Sequence, residues 1–251
     1  MIALVDIGNT RVKWAVADGT RVTSVGAASH IDDAQAAVEA LATALPTGID
    51  RALIANVAGP ALAQPLTAAL EAHRIRAEYV ATRAEGYGIR CAYADPERLG
   101  VDRWVAMIAA RRLVAGDLCV IQAGTAVTFD TVDAEGRHRG GLIFAGPRLL
   151  ADALNRNTGR IGLTEPARSR PNGLELLGRS TEVAVAHAAM LSLASGLDRA
   201  VTVVGAALGG LPTVLLTGGG ADSLRPWLET DVRTSADLVL AGLAYMAEQD
   251  G

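Results

Sequence analysis

The sequence predicts an α/β fold made of two similar halves facing one another across a cleft, residues 1–116 and residues 117–251. Three observations carry that expectation. Short apolar strands alternate with helical patterns along the chain, the mark of a layered α/β architecture. The opening stretch LVDIGNTRVKW (4–14) returns in outline as CVIQAGTAVTFD (119–130), so that Asp6 aligns with Gln122 and Gly8 with Gly124, 116 residues later and near half the chain. Self-similarity on that scale points to duplication and outranks local propensity. A further glycine cluster, Gly218–Gly220, follows the strand-like run TVLLT, in the second half only.

The elements follow in order. Ile2–Val5 reads as a buried strand and Arg11–Ala17, which alternates, as the return strand of a hairpin. Asp33–Leu45 is an alanine-rich helix closed by Pro46 and Gly48, Ala52–Val57 a strand, Ala61–His73 a helix that Pro60 helps to start, and Arg76–Val80 a strand. Gly86–Gly100 is irregular, and Asp102–Val114 is helical. Strands are expected at Cys119–Gln122, Val127–Val132, Gly140–Phe144 and Thr213–Thr217, with helices at Arg148–Leu154, Thr181–Ala194 and from Asp237. Asn155–Asn172 has the composition of a loop.

Composition narrows the function classes. The 251 residues are 50% hydrophobic, enough for one large core or two ordinary ones. Lys+Arg total 23 against 27 Asp+Glu, a net charge of -4, which gives no support for a nucleic-acid-binding face. Asp6 interrupts the first apolar run before a signal sequence could form, and Gly, Asp or Arg breaks the later ones. The expectation is a cytoplasmic protein that does not enter a membrane. Cys91 and Cys119 have no metal-like pairing and read as reduced thiols. Nor are His30, His73, His138 and His187 spaced as metal ligands; His138 reads with Arg137 and Arg139 as decoration of a turn. Trp14, Trp104 and Trp227 read as core or interface anchors.

The paired loops have the chemistry of a phosphate grip. Glycine lets the backbone approach an anion closely, and small hydroxyl or amide side chains add donors without bulk. A carboxylate beside such a turn repels phosphate but can organise Mg²⁺, which bridges phosphate oxygens. Lys13, the only lysine in the chain, stands within reach of the same oxygens, though a single lysine in an arginine-biased sequence also arises by chance. Taken alone, Asp6, Gly8 and Asn9 equally describe an ordinary hairpin turn. Asp102 sits at a helix start, where it either faces a cleft or caps the helix. Arg103 beside it has a planar fork suited to a carboxylate. Neither GxxxxGK[ST] nor GxGxxG occurs.

Two such loops and a late glycine turn resemble the acetate and sugar kinase/Hsp70/actin superfamily. Within it, DIGNT at 6–10, Y-x-x-P-x-x-LGVDRW at 93–104, GTAVT at 124–128, GG-x-I at 140–143 and ADLVLAGL at 236–243 are together similar to type III pantothenate kinase, in order and over nearly the whole chain. The resemblance implies two ribonuclease-H-like halves in an actin-like ATPase fold, with a phosphate loop and the GVDR segment in the first, and a phosphate loop and adenosine turn in the second. It implies ATP-dependent phosphorylation of pantothenate, the first step of coenzyme A biosynthesis, by a homodimer. Asp6, Gly8, Asn9, Thr10, Arg11 and Lys13 would line the ATP phosphates, with Asp6 organising Mg²⁺, directly or through water. Gly124, Thr125 and Gly219 would complete the ATP site. Tyr93, Gly100, Val101, Asp102, Arg103 and Thr181 would hold pantothenate, with Asp102 as general base. Arg156 and Arg160 could close over phosphate or lie in a solvated loop.

One position departs from the family pattern. The family has aspartate before the second loop, where a monovalent cation such as K⁺ or NH₄⁺ binds; here the residue is Gln122. An amide keeps an oxygen ligand and removes a full charge. The chain could work with little K⁺ dependence, use the amide oxygen, or be impaired. The rivals to a pantothenate kinase are a kinase for another small molecule and a non-catalytic regulator. The first would need its own acceptor-binding residues; the second should have lost Asp102 or the first loop.

Overall fold

A computed structural model describes residues 1–19, 21–158 and 165–250. The chain forms two compact units, Met1–Leu113 together with Asp237–Gly251, and Val114–Ala236. The last segment therefore returns to the first unit, whereas a cut at 116 would leave it in the second half. Its burial explains the return: eight of its residues, from Leu238 to Ala247, are buried.

The first unit opens with β1 (Ile2–Ile7), β2 (Arg11–Asp18) and β3 (Arg21–Ser29), continues through α1 (Ala34–Ala44), β4 (Arg51–Asn56), α2 (Pro60–Ala72) and β5 (Arg76–Tyr79), and reaches α3 (Val101–Leu113) after the small hairpin β6 (Glu85–Gly86) and β7 (Ile89–Arg90). β3 escapes a reading by hydrophobic pattern because seven of its nine residues are exposed. The strand order is β3-β2-β1-β4-β5. β1 and β2 pair antiparallel with Asp6 opposite Lys13, and β1 and β4 pair parallel.

Alternation along these strands divides the sheet's two faces. Ala3, Val5 and Ile7 of β1 and Val12, Trp14 and Val16 of β2 share a core with Leu41 of α1 and Leu66 and Leu70 of α2. Burying a leucine there stabilises by about 1.5–3 kcal/mol. The alternate residues, Asp6 and Lys13 among them, belong to the other face. The second unit contains β8 (Leu118–Ala123), β9 (Ala126–Val132), β10 (His138–Ala145), α4 (Pro147–Asn157), α5 (Thr181–Leu208), β11 (Thr213–Thr217), α6 (Ala221–Leu224) and β12 (Arg233–Thr234). The chain ends in α7 (Leu238–Gln249), which packs in the first unit against α3, β1 and β4. Gly242 permits the α7–α3 approach, since a Cβ there would overlap the Val105 carbonyl.

The second sheet has the order β10-β9-β8-β11-β12, with the first pairs antiparallel and the last parallel, as in the first unit. α5 is twice the length that its apolar pattern suggested. It runs through Ser195 and Gly196, and the space beside Gly196 is taken by the Phe144 ring, 3.0 Å from where a Cβ would lie. By length and composition alone α5 could cross a membrane, which the sequence reading had not expected of any segment. Met190, Leu193, Leu197 and Val201 bury one of its faces in the core of the second unit.

Candidate active site

The first loop is a three-residue connection, Gly8–Thr10, between β1 and β2. Gly8 N–H donates to the Arg11 carbonyl at 3.0 Å and closes the turn. A second clamp was not foreseen: His30 Nε2–H donates to the Gly8 carbonyl at 2.7 Å, while its backbone N–H donates to the Thr10 carbonyl at 3.2 Å. His30 is thus a support of the loop, and no spacing rule would have picked it out. Asn9 and Arg11 are exposed, with Gly8 and Thr10 partly so.

Below the loop, Asp6 is buried at 8% exposure. Burial first, then the neighbouring carboxylate of Asp237, raise its pKa from 3.8 to about 7; Lys13 opposes this and Asp102 adds to it. The Lys13 ammonium lies 4.0 Å from Asp6 Oδ2 and donates to Asp237 Oδ2 at 2.6 Å. Asp237 is the N-cap of α7, its Oδ1 accepting from Leu240 N–H at 3.4 Å. It went unassigned in the sequence because 224 residues separate it from Lys13. A desolvated carboxylate among other carboxylates suits a divalent cation. Among the described residues no three His, Cys, Asp or Glu side chains converge as ligands. Mg²⁺ fits such a place, because it commonly keeps waters and takes one or two carboxylates together with phosphate oxygens.

The GVDR segment opens α3. Asp102 Oδ1 accepts from Arg103 N–H at 2.8 Å, so this carboxylate both lies at the helix start and acts on Asp6. Gly100 leaves room beside it, since a Cβ there would stand 2.8 Å from Asp102 Oδ1 and make that side chain shift. Val101 is buried. Arg103, only 4% exposed, donates from Nη1 to Tyr93 Oη at 3.2 Å, and its guanidinium lies 6.0 Å from the Tyr93 ring centre. Thr82 Oγ1 donates to the Leu99 carbonyl and ties down the irregular stretch before α3. The first unit therefore carries Asp6, Lys13, Asp102, Arg103 and Tyr93, with Asp237 bonded to Lys13 and His30 bonded to the first loop.

The second unit carries the other candidates. Its loop, Gly124–Thr125, is one residue shorter, and Gly124 N–H donates to the Ala126 carbonyl at 3.1 Å. Thr125 is exposed and its carbonyl accepts from Gly146 N–H at 3.1 Å, just before α4. The glycine turn after β11 stands against the same strand end: Gly220 N–H donates to the Ala123 carbonyl at 2.9 Å. A Cβ on Gly218, whose φ is +96°, would stand 2.6 Å from that oxygen. Gly219 is exposed between them. Gln122 is half-buried and pairs across the strands with Thr128, whose Oγ1 is buried without a hydrogen-bond partner.

Thr181 is exposed at the start of α5, after the N-cap Ser180. Arg156 is exposed in the last turn of α4, and Arg160 lies outside the described residues. His138 is not turn decoration. It is 3% exposed and its Nε2 lies 3.1 Å from Asp130 Oδ1. Cys119 is buried, which pushes its thiol up to about 11 and leaves it a poor nucleophile.

Comparison with known proteins decides the family. The model of type III pantothenate kinase matches residues 2–206. This chain belongs to the type III pantothenate kinase family. It is 36% identical over 254 residues to a type III pantothenate kinase of Nitrosococcus oceani, covering 99% of this chain and 94% of that one. A type III pantothenate kinase of Xanthomonas euvesicatoria is 39% identical over 246 residues, covering 97% and 96%. Among solved structures, a protein described as a 2-dehydro-3-deoxygalactonokinase from Sinorhizobium meliloti superposes with a TM-score of 0.59 at 20% identity, covering 100% of this chain and 99% of that one. That likeness supports the actin-like ATPase fold. Membership makes this pantothenate kinase homologue an enzyme of the kinase class, a transferase that binds a nucleotide.

Proposed function

We propose that the chain transfers the γ-phosphoryl group of ATP to the primary hydroxyl of pantothenate, giving 4'-phosphopantothenate, the first step of coenzyme A biosynthesis. Besides family membership, the observation that carries this reading is the placement of Asp102 beside the bonded pair Arg103–Tyr93 and within electrostatic reach of Asp6. One carboxylate for a hydroxyl proton and one guanidinium for a substrate carboxylate match the two ends of pantothenate.

Phosphoryl transfer has a loose transition state, so alignment and charge neutralisation do most of the catalysis. Arg103 and Tyr93, with Gly100 and Val101, position the acceptor, and Asp102 takes its hydroxyl proton as the oxygen attacks the γ-phosphorus and the bond to ADP breaks. Gly8, Asn9 and Thr10 of the first loop and Arg11 and Lys13 at the start of β2 bind the ATP phosphates, with Gly124 and Thr125 of the second loop, while Gly219 borders the adenosine. Asp6 would hold Mg²⁺, directly or through water, and the ion supplies charge neutralisation on the phosphate oxygens. Thr181 contributes to the pantothenate pocket. The two halves work as loop-bearing repeats, in a cytoplasmic homodimer. Gln122 occupies the monovalent-cation position with an uncharged oxygen, and the reading is that turnover depends little on K⁺ or NH₄⁺.

The test is ATP consumption with pantothenate, with and without K⁺, in the unaltered chain, Asp102→Asn and Gln122→Asp. Turnover that Asp102→Asn lowers by at least about a thousandfold is expected. A well-folded chain that turns over in none of the three forms would overturn the reading.

A further inference from the structure

We propose that Asp237 is a positioning residue of the phosphoryl-transfer centre, holding the Lys13 ammonium off Asp6 so that the lysine faces phosphate and the carboxylate stays free for a cation. The inference rests on the kinase reading for its purpose, and on geometry for its substance. Lys13 Nζ is 2.6 Å from Asp237 Oδ2 and 4.0 Å from Asp6 Oδ2. Asp6 and Lys13 sit opposite one another on adjacent strands, on the sheet face that meets α7. Left to themselves, two such neighbours would close on each other, because an ammonium beside a buried carboxylate is strongly attracted at low local dielectric. Asp237 competes for the ammonium from a fixed point. It is the N-cap of a helix with eight buried residues, and one oxygen caps while the other takes the lysine.

Charge alone predicts the opposite behaviour. A third carboxylate beside a phosphate site repels the nucleotide, so neutralising it should tighten ATP binding. A positioning role predicts weaker binding and slower transfer, because the lysine would swing onto Asp6. Capping is separable from both, since asparagine caps a helix as well as aspartate does.

Asp237→Asn, Lys13→Met and their combination should be compared with the unaltered chain by MgATP calorimetry and by pantothenate-dependent turnover. Lys13 is the only lysine, so protein labelled with [¹⁵N]lysine gives one side-chain ammonium signal that reports its surroundings directly. Asp237→Asn is expected to move that signal, weaken MgATP about threefold and lower kcat about tenfold, with Tm nearly unchanged. In the Lys13→Met background the same change should alter MgATP affinity less than about twofold, because the two residues act as one unit.

An unmoved lysine signal, MgATP binding that is unchanged or tighter, or an equal loss in both backgrounds would each overturn the proposal. If MgATP binding and the lysine signal respond as expected but pantothenate is never phosphorylated, Asp237 keeps its role and the choice of acceptor falls. A chain that binds no MgATP at all overturns both.

Discussion

The two hairpins at the front of the two sheets share a topology and differ in charge. β1–β2 puts Asp6 opposite Lys13, and β8–β9 puts Gln122 opposite Thr128, on equivalent faces of sheets with the same strand order. Their opposite faces are equally apolar, Val5 and Trp14 in one, Ile121 and Phe129 in the other. The packing sides of the two hairpins are thus alike, and their outward sides differ. The first copy concentrates charge, with a buried carboxylate, an ammonium and a second carboxylate from α7. The second has the uncharged Gln122 and Thr128 at its loop end, the Thr128 hydroxyl without a hydrogen-bond partner, and its own buried carboxylate, Asp130, stands two residues further along beside His138. At the loop ends the opposed charges therefore lie on the first hairpin, and the second presents a turn whose Thr125 and Ala123 carbonyls accept from Gly146 and Gly220.

Removing the buried carboxylate of the first hairpin should break the asymmetry most severely. Asp6→Asn is expected to lower kcat by about a thousandfold or more, since electrostatic organisation is a large part of phosphoryl transfer. The same change should stabilise the metal-free protein at pH 8. Asp6 titrates near 7 in the folded chain because burial and Asp237 disfavour its charge, against 3.8 ordinarily. The folded state therefore holds a proton that the unfolded state has lost between those values. Stability from this group is complete below pH 4 and is lost as pH rises through 7, by up to roughly 4 kcal/mol. Chemical denaturation from pH 4 to 8 with a chelator present should show a steeper decline for the unaltered chain than for Asp6→Asn. Parallel pH curves would mean that the carboxylate is not buried at the cost inferred here.

Glycine turns come next in size. Gly218→Ala meets both a left-handed φ and the Ala123 carbonyl. It should destabilise the chain by about 2–3 kcal/mol and raise KM for ATP, because the glycine turn is bonded to Ala123, the residue before the second loop. Unfolding in urea gives the first quantity directly. An unaltered midpoint would show that the turn has another conformation open to it.

How much of this was legible beforehand depends on separation along the chain. Both hairpins, their glycines and the GVDR helix start lie within short windows, where alternation and turn chemistry speak plainly. The strand orders themselves were not read from the sequence; the structure shows them to be the same in the two units. β3 was invisible because its exposed residues give no burial pattern, and α5 was cut short because Ser195–Gly196 looks like a stop until Phe144 is seen to need the room. Asp237, His30 and the buried Asp130–His138 pair were missed for one shared reason. Each side chain gains its meaning from a partner on another strand or helix, and no local pattern announces that.

Charging the second hairpin to match the first should have a smaller effect. Gln122→Asp places a carboxylate on β8 with Thr128, not lysine, across from it. Without an ammonium the new charge needs a cation. K⁺ should then stimulate turnover at least about threefold where the unaltered chain responds little, and raise Tm in a way that Na⁺ does not match. Stimulation of both forms alike would mean that the amide oxygen already holds the ion, and that the two hairpins divide the work less sharply than their charges suggest.

The smallest expected effect probes the loop and not the charges. His30 holds Gly8 and Thr10 by their carbonyls from the strand side of the turn. His30→Ala should leave fold and kcat nearly intact and raise KM for ATP about twofold to fivefold, since one hydrogen bond contributes about 1 kcal/mol. His30→Gln, which can still donate to the Gly8 carbonyl, should recover most of that loss. The second loop has no histidine in this role; the Gly146 backbone approaches it through the Thr125 carbonyl instead. A side-chain clamp can be removed by one substitution and a backbone clamp cannot, so the first loop is the one whose ATP affinity should respond to so slight a change. Equal KM values for His30→Ala and the unaltered chain would place the rigidity of the first loop in its Gly8–Arg11 turn alone.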